Sequence, residues 1–322
     1  MVKIGIIGCG GMGRYHANIL KKFEDVKIVS ASDVNFDALN SFKNEFGVEE
    51  LYGDFKELIK KSDVDAIICA TPTNLHYKVV VEGAKSKKHI FCEKPISVNL
   101  KQAEKMIEEC EKNNVILQIG YVRRFDEEWL KFKELIDKKV IGRPIVWQQI
   151  SGGSGPGPDW FYDIKKGMGP FVDGAVHSYD FGIFTFGKVK KVKSSLIKFK
   201  KSTSPDTGVV IVEFESGDIL VLCWSWGLPK NTFSQYVHQA LGPEGVLVFD
   251  GTRDEKGKYF VIRKDKGEEK IGPIPLNSLG IGFEKQMEHF IDCVKNNKKP
   301  VVSGIDGYES LKVGLMAIKN FH

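Results

Sequence analysis

The stretch VKIGIIGCGGMG, residues 2–13, decides the fold of this chain. Its first half is an apolar run of strand length. It leads directly into Gly8-Cys9-Gly10-Gly11-Met12-Gly13, which fits the pattern G-x-G-x-x-G, and a helical pattern follows as far as Leu20. Gly8 permits a tight turn, Gly10 lets the backbone approach a pyrophosphate, and Gly13 permits close packing of the helix on the strand. This order predicts a dinucleotide-binding unit whose helix N-terminus offers free N–H groups to phosphates.

An acidic residue stands where such a unit needs one. The second predicted strand, Val26 to Ser32, ends at Asp33, twenty residues beyond Gly13. A carboxylate there can accept both hydroxyls of an adenosine ribose, and it would repel a 2′-phosphate. Val34 and Asn35 supply no cation to receive such a phosphate. We therefore expect NAD rather than NADP; the alternative is that Asp33 only caps the next helix, residues 36–46.

Polar clusters follow five predicted strands of the first half of the chain. In a parallel sheet with right-handed crossovers the carboxyl ends of successive strands share one edge, and ligands bind outside that edge. We therefore expect these segments to converge in space. They are Gly8–Gly13, Asp33, Thr71-Pro72-Thr73-Asn74, Glu93-Lys94-Pro95 and Gly120-Tyr121-Val122-Arg123-Arg124.

Two of these clusters carry the candidate chemistry. Lys94 follows a short apolar strand and is held by a rigid Lys-Pro step, so it is placed for chemistry, although a solvated turn is the alternative. Asn74 is expected to cap a helix over residues 75–87. His76 lies in the first turn of that helix, where it is either an ordinary surface histidine or a contact near the nicotinamide.

The second half of the chain follows a different pattern. A chain of 322 residues predicts two domains, 1–121 and 122–322, with the option that the last helix packs on the first domain. Strands dominate from Val192 to Ile262, and a tight hairpin turn is expected at 216–218. The fold class is therefore an α/β doubly wound parallel sheet of Rossmann type, followed by an α+β domain with a mostly antiparallel open sheet. An apolar outer face of that sheet, with Trp224 and Trp226 as candidates, could pair subunits.

A helix predicted from Pro170 to Phe186 carries further candidates. Asp173 and His177 are four residues apart and would share one face, which Asp180 joins. A carboxylate beside an imidazole orients it and raises its basicity, although a surface ion pair is the alternative. The glycine- and proline-rich loop 151–162 contains Trp160, and it is either a flexible connection or a mobile wall on which Trp160 stacks against a ring-shaped substrate.

Composition limits the classes of function. The net charge of +5 is mild and the lysines are spread along the chain, which argues against a nucleic-acid partner. The six cysteines show no metal-type or disulfide spacing and indicate a reducing compartment. The apolar run at residues 4–9 is too short for a signal peptide or a membrane span. We expect a soluble, cytoplasmic protein.

With these motifs in order, the chain resembles the Gfo/Idh/MocA family of NAD(P)-dependent oxidoreductases over essentially its whole length, and it is most similar to the inositol dehydrogenase-like branch. The resemblance rests on Gly8–Gly13 with Asp33, on Ala70-Thr71-Pro72 with Asn74 and His76, on Glu93-Lys94-Pro95, on Gly120–Phe125, and on Asp173 with His177 and Asp180. The stretch from Ser151 to Tyr162 matches nothing in this family pattern.

The resemblance implies a reaction and a site. A secondary alcohol of a cyclic polyol or sugar would lose its proton to His177, and Asp173 would either orient His177 or hold a substrate hydroxyl. Lys94 would stabilise negative charge on the reacting oxygen. Arg123 and Arg124 would border substrate or cofactor, Trp160 would contact substrate, and Gly11, Met12, Thr71, Pro72, Asn74, His76 and Glu93 would join the cofactor site. No metal is implied. The family also implies a homodimer or homotetramer, and it leaves two alternatives: a silent NAD-binding regulatory protein and an NAD-dependent glycosidase.

Overall fold

The computed structural model describes residues 1–319 and 321. These residues form two compact units. The first consists of Met1–Tyr121 together with Phe283–Leu311, and the second of Val122–Gly282 together with the chain from Lys312 onward. The predicted helix 305–321 ends earlier, at Ile318, and Asn320 lies outside the described residues.

The first unit is built on a six-stranded parallel sheet with the order β3-β2-β1-β4-β5-β6. The predicted doubly wound sheet is therefore confirmed. The sequence analysis missed β3, which has only three residues and too short an apolar run to be recognised. The strands are β1 Val2–Ile7, β2 Val26–Ser32, β3 Glu50–Tyr52, β4 Ala66–Cys69, β5 His89–Cys92 and β6 Leu117–Ile119.

Five helices of the described chain alternate with these strands, and three of them begin at polar caps. Asn35, Asp54 and Asn99 each accept backbone N–H groups of the helix that follows them. The predicted cap at Asn74 is wrong: the helix begins at Thr73, two residues earlier than expected, so Asn74 lies within the first turn. The helices are α1 Gly11–Leu20, α2 Phe36–Phe46, α3 Phe55–Lys61, α4 Thr73–Lys85 and α5 Leu100–Lys112.

The second unit is built on an eight-stranded sheet with the order β14-β13-β12-β11-β7-β10-β9-β8. All neighbouring pairs are antiparallel except β7 with β10, so the predicted mostly antiparallel sheet is also confirmed. The strands are β7 Val146–Gly152, β8 Val189–Ile197, β9 Thr207–Phe214, β10 Ile219–Ser225, β11 Val237–Gly242, β12 Gly245–Asp254, β13 Gly257–Lys264 and β14 Gly267–Ile274. The remaining helices of the chain are α6 Glu127–Asp137, α7 Val176–Phe186, α8 Ser278–Asn296 and α9 Gly304–Ile318.

The two faces of this sheet differ in burial. Val210, Val212, Leu220 and Leu222 alternate along β9 and β10 and are buried, and Trp147 of β7 is buried with them. The residues between them point to the other face and are only half-buried. They form an apolar surface, which we call the outer sheet face: Ile150, Val209, Ile211, Val221, Cys223 and Val237.

The tryptophans expected on that outer face lie elsewhere. Trp224 follows Leu220 and Leu222 in the alternation of β10, so its ring points to the inner side of the sheet. A Cβ atom on Gly174 would lie 3.1 Å from the Trp224 ring and 2.8 Å from the Trp226 ring. The expectation for Trp224 and Trp226 is therefore wrong, because strand periodicity turns them toward the segment around Gly174.

No helix within the described part of the chain is long and apolar enough to cross a membrane.

Candidate active site

The glycine turn is packed as tightly as the sequence pattern requires. A Cβ atom on Gly13 would lie 1.9 Å from the carbonyl oxygen of Gly8, so only glycine allows α1 to pack this closely on β1. Gly8 itself has φ +99°, a conformation that favours glycine. At Gly10 and Gly11, in contrast, an added Cβ would meet nothing within 4 Å. The exposed side of the turn is thus open, and α1 begins there with no side-chain cap on its N–H groups.

Asp33 is fixed at the end of β2 by two backbone amides. Its Oδ2 accepts the N–H of Cys9 at 2.8 Å, and its Oδ1 accepts the N–H of Asn35 at 2.8 Å. A carboxylate has about four lone-pair sites, so both oxygens keep capacity for ribose hydroxyls. Asp33 is therefore joined to the glycine turn itself, and the open turn with the anchored carboxylate fits the pyrophosphate and adenosine ribose of NAD.

His76 is buried rather than exposed at the surface. Its Nδ1 lies 2.8 Å from the carbonyl oxygen of Pro95, and its Nε2 lies 2.9 Å from the carbonyl oxygen of Thr71. The ring therefore joins the segment after β4 to the segment after β5. The surface alternative for His76 is wrong, and its contact with two strand-end segments places it behind the cofactor edge, next to Thr71 and Pro72.

Glu93 contacts a residue that the sequence analysis did not single out. Its Oε1 lies 2.6 Å from Nε2 of His16, in the middle of α1, and its Oε2 accepts the N–H of Lys94 at 3.2 Å. His16 is fully buried, and its ring makes an edge contact with Phe91. The carboxylate also covers Gly120, where a Cβ atom would lie 3.0 Å from Oε2. Glu93 thus fixes the helix of the glycine turn to the backbone that carries Lys94.

This contact keeps the Glu93 carboxyl ionised. Burial alone raises its pKa, but the hydrogen bond and the charge of His16, together with Lys94, outweigh burial and hold the pKa below its ordinary value of 4.5. An ionised carboxylate in this position acts only as an acceptor, which matches the N–H donors of His16 and Lys94. Glu93, expected at the cofactor site, is thus held by His16 and by the backbone of Lys94.

The second unit carries Asp173 and His177. The expected regular helix from Pro170 is wrong in its first turn: Pro170–Gly174 is a π turn, in which the N–H of Ala175 donates to the carbonyl oxygen of Pro170. The close contact of Gly174 with Trp224 and Trp226 accompanies this wider turn. Asp173 is buried within it, and half-buried His177 follows in the first turn of α7. Such π turns are frequent at functional sites.

The two arginines after β6 are held by this same unit. Arg124 is buried and pairs with Asp180, with Nη2 at 2.6 Å from Oδ1 and Nε at 3.1 Å from Oδ2. Arg123 donates to the hydroxyl of Ser178 at 3.0 Å and lies over the Trp129 ring at 3.9 Å. The carboxylate of Asp180, expected on the face of Asp173, is thus directed to Arg124, and both arginines brace α7.

The loop that contains Trp160 is anchored to its own unit. Tyr162 donates its hydroxyl hydrogen to the carbonyl oxygen of Ser154 at 2.8 Å, and Lys200 donates to the Tyr162 hydroxyl at 3.0 Å. Trp160 stacks on Phe161 with ring centroids 3.8 Å apart. Trp160 and Phe161 therefore form one stacked aromatic pair.

These features define an NAD-binding oxidoreductase. The family model for the NAD-binding Rossmann fold of the Gfo/Idh/MocA oxidoreductases matches residues 2–121, and the model for their C-terminal alpha/beta domain matches residues 133–321. The chain belongs to this family, and its cofactor is NAD.

Several relatives are dehydrogenases of inositols. Myo-inositol 2-dehydrogenase of Thermotoga maritima is 34% identical, over 99% of this chain and 96% of the relative. The NAD(+)-dependent scyllo-inositol 2-dehydrogenase of Bacillus subtilis is 28% identical, over 99% and 94%. Among solved structures, a probable dehydrogenase from Thermotoga maritima has a TM-score of 0.80 at 32% identity, with 99% and 96% coverage.

His16 is the residue that sequence reasoning missed. It lies three positions after the last glycine of the turn and has no local partner, since Glu93 is 77 residues away in the sequence. The sequence did contain one signal: His16 lies on the buried face of α1, which also carries Gly13 and Ala17.

Replacing Glu93 by glutamine tests its positioning role. One of its two oxygens becomes an NH2 group, so either His16 or the Lys94 N–H loses its acceptor. We expect the free energy of unfolding, measured by urea denaturation at neutral pH, to fall by about 1–3 kcal/mol.

The loss of stability caused by Glu93→Gln should depend on pH. Because the folded-state pKa of Glu93 is lowered, its stabilisation is present above the unfolded-state pKa and is lost as the pH falls through the folded-state value. The difference between wild type and Glu93→Gln should therefore shrink in acid. Exposed Glu24→Gln is the matched control. Equal stability of Glu93→Gln and wild type at neutral pH would refute the role.

Proposed function

We propose that this protein is an NAD-dependent dehydrogenase of cyclic polyols or sugars, and that an inositol is its substrate. The observation that carries the proposal is the buried Glu93–His16 contact, which joins the backbone of Lys94, after β5, to the helix that follows the glycine turn. The inositol dehydrogenases among its relatives support the substrate class.

Each candidate residue has a role in this proposal. His177 takes the proton of the substrate hydroxyl, and Asp173 orients its imidazole or holds a second hydroxyl. Lys94 stabilises negative charge on the reacting oxygen. NAD, when bound, supplies the hydride acceptor. Trp160 borders the substrate ring, and Arg123 and Arg124 act by holding Ser178 and Asp180 of α7.

The proposed contacts to NAD come from residues of the first unit. The N–H groups of Gly10, Gly11 and Met12 at the start of α1 would hold the pyrophosphate, and Asp33 would hold the adenosine ribose. Thr71, Pro72 and Asn74 would border the nicotinamide half, with His76 behind them. Arg123, also assigned to the cofactor in the sequence analysis, belongs to the second unit, and we propose the bracing role for it.

Initial rates of NAD+ reduction across inositols, aldoses, ketoses and sugar acids test this function. We expect turnover with one stereochemical group of inositols, and a fall in kcat of roughly 100- to 10,000-fold in Lys94→Ala and His177→Ala, because each removes charge stabilisation or proton transfer. Lys101→Ala, an exposed lysine of α5, is the control. Undiminished turnover in Lys94→Ala, or release of an aglycone from a glycoside without net NADH, would contradict the proposal.

We also propose that the protein is a homodimer or homotetramer formed through the outer sheet face. Val221 stands at its centre, paired in register with Ile211 on one side and Gln148 on the other. Gln239 donates in turn to Gln148 at 2.8 Å, so these two polar side chains are already paired with each other within one chain. A large apolar surface of this kind suits a second copy of the same chain.

Charge introduced on this face should dissociate the oligomer. We expect Val221→Lys to sediment as a monomer in analytical ultracentrifugation, because a buried unpaired ammonium is costly at an interface. Val301→Lys, at an exposed position of the first unit, should sediment like wild type. A wild-type monomer, or an unchanged assembly in Val221→Lys, would exclude this interface.

A further inference from the structure

Three soft ligand groups meet behind the cofactor edge of the first unit. The sulfurs of Cys69 and Cys92 and a ring nitrogen of His76 all lie within 4.8 Å of one another. Cys69 and Cys92 are direct register partners on β4 and β5, and His76 reaches them from the first turn of α4. Each cysteine is 0% exposed and the histidine 1%. The spacing of these residues in the sequence, 69, 76 and 92, matches no common metal-binding motif.

We propose that Cys69, Cys92 and His76 form a binding site for one thiophilic divalent cation of the zinc type. Two thiolates and one imidazole are a donor set that Zn2+ and Cd2+ prefer. Tetrahedral coordination with bonds of about 2.1–2.3 Å places ligand atoms roughly 3.5–3.8 Å apart. The ligand atoms, which lie within 4.8 Å of one another, would have to approach by up to about 1 Å to reach this spacing.

The electrostatics of the two thiols suit a metal. Burial alone raises the pKa of the Cys69 thiol, but a hydrogen bond from Cys92, the charge of His76 and hydrogen bonds with Thr71 lower it to about 6. Burial and the neighbouring sulfur raise the pKa of Cys92 well above its ordinary value. A divalent cation bound by two thiolates and one neutral imidazole would leave this buried site with no net charge.

A disulfide is the less favourable use of this pair. Neighbouring strands are about 4.8 Å apart, and in-register side chains of a parallel pair point the same way. Disulfides prefer Cβ atoms about 3.8 Å apart. Closing the bond would therefore pull β4 and β5 together, whereas a bridging cation accepts a larger separation of the two sulfurs.

Occupation of the site is coupled to the cofactor edge through His76. Both ring nitrogens face backbone carbonyls, those of Thr71 and Pro95. A nitrogen that binds the cation gives up its hydrogen bond to one of these carbonyls. Thr71 and the Lys94-Pro95 step belong to the edge assigned to NAD under the proposed function, on which this coupling rests. Metal and NAD should therefore weaken each other reciprocally, by roughly 5- to 150-fold.

Cadmium titration of the full chain, purified in chelator, tests the site without any assay of turnover. We expect one Cd2+ per chain, with proton release and a sulfur-to-cadmium charge-transfer band. The band should disappear in Cys69→Ser and in Cys92→Ser, weaken in His76→Gln, and persist in Cys110→Ser, a buried cysteine of α5 that is not part of the cluster. Saturating NAD+ should raise the cadmium Kd.

Two results would overturn the site. One is the absence of a charge-transfer band in the wild-type chain, and the other is cadmium uptake that survives both serine substitutions. Because serine in a buried strand can impair folding, cadmium NMR of wild type gives an independent readout. A shift typical of two sulfur ligands supports the site, and a shift typical of oxygen ligands refutes it. Cadmium binding that is unaffected by NAD+ would refute the coupling and leave the proposed dehydrogenase activity untouched.

Discussion

The contact between Gly13 and the carbonyl oxygen of Gly8 is the constraint on which the first unit depends. There is no room for a Cβ atom, so α1 crosses β1 at the closest approach that two backbones allow. This closeness directs the N-terminus of α1 at the open side of the turn. It also brings His16, one turn further along α1, to the carboxylate of Glu93. The cofactor turn and the backbone of Lys94 are thereby parts of one rigid arrangement.

Much of this arrangement was predictable, because it follows from local rules. The bounds of β2 and α2 agree with the sequence analysis, although the cap of α2 is Asn35 and not Asp33. The convergence of strand ends follows from the parallel order of the sheet. The His16–Glu93 contact was not predictable from spacing. Its partners are 77 residues apart, and neither residue belongs to a local motif that indicates a contact. The cluster of Cys69, Cys92 and His76 was missed for the same reason: strand register, rather than sequence distance, pairs the cysteines.

The second unit shows a different limit of sequence reasoning. A four-residue spacing predicted that Asp173 and His177 share a face of a regular helix, but the segment begins as a π turn packed against tryptophan rings. Asp180 fitted the same helical face, and its carboxylate is directed to Arg124 instead. In both cases the partners are distant in the sequence: Trp224 and Trp226 pack against the π turn, and Arg124 pairs with Asp180. The helix that carries His177 is consequently braced from one side by Arg123 and Arg124, which explains two arginines that sequence analysis could assign only to a ligand.

The central claim is that this chain moves a hydride from a ring carbon of a cyclic polyol to NAD. Isotope transfer measures that step directly: the protein is incubated with NAD+ and inositol isomers deuterated at a ring carbon, and the reduced cofactor is analysed by mass spectrometry. The account predicts that one isomer transfers one deuterium to the nicotinamide ring and is itself converted to a ketone. Reduced cofactor without deuterium, or no reduced cofactor from any cyclic polyol or sugar, would contradict it.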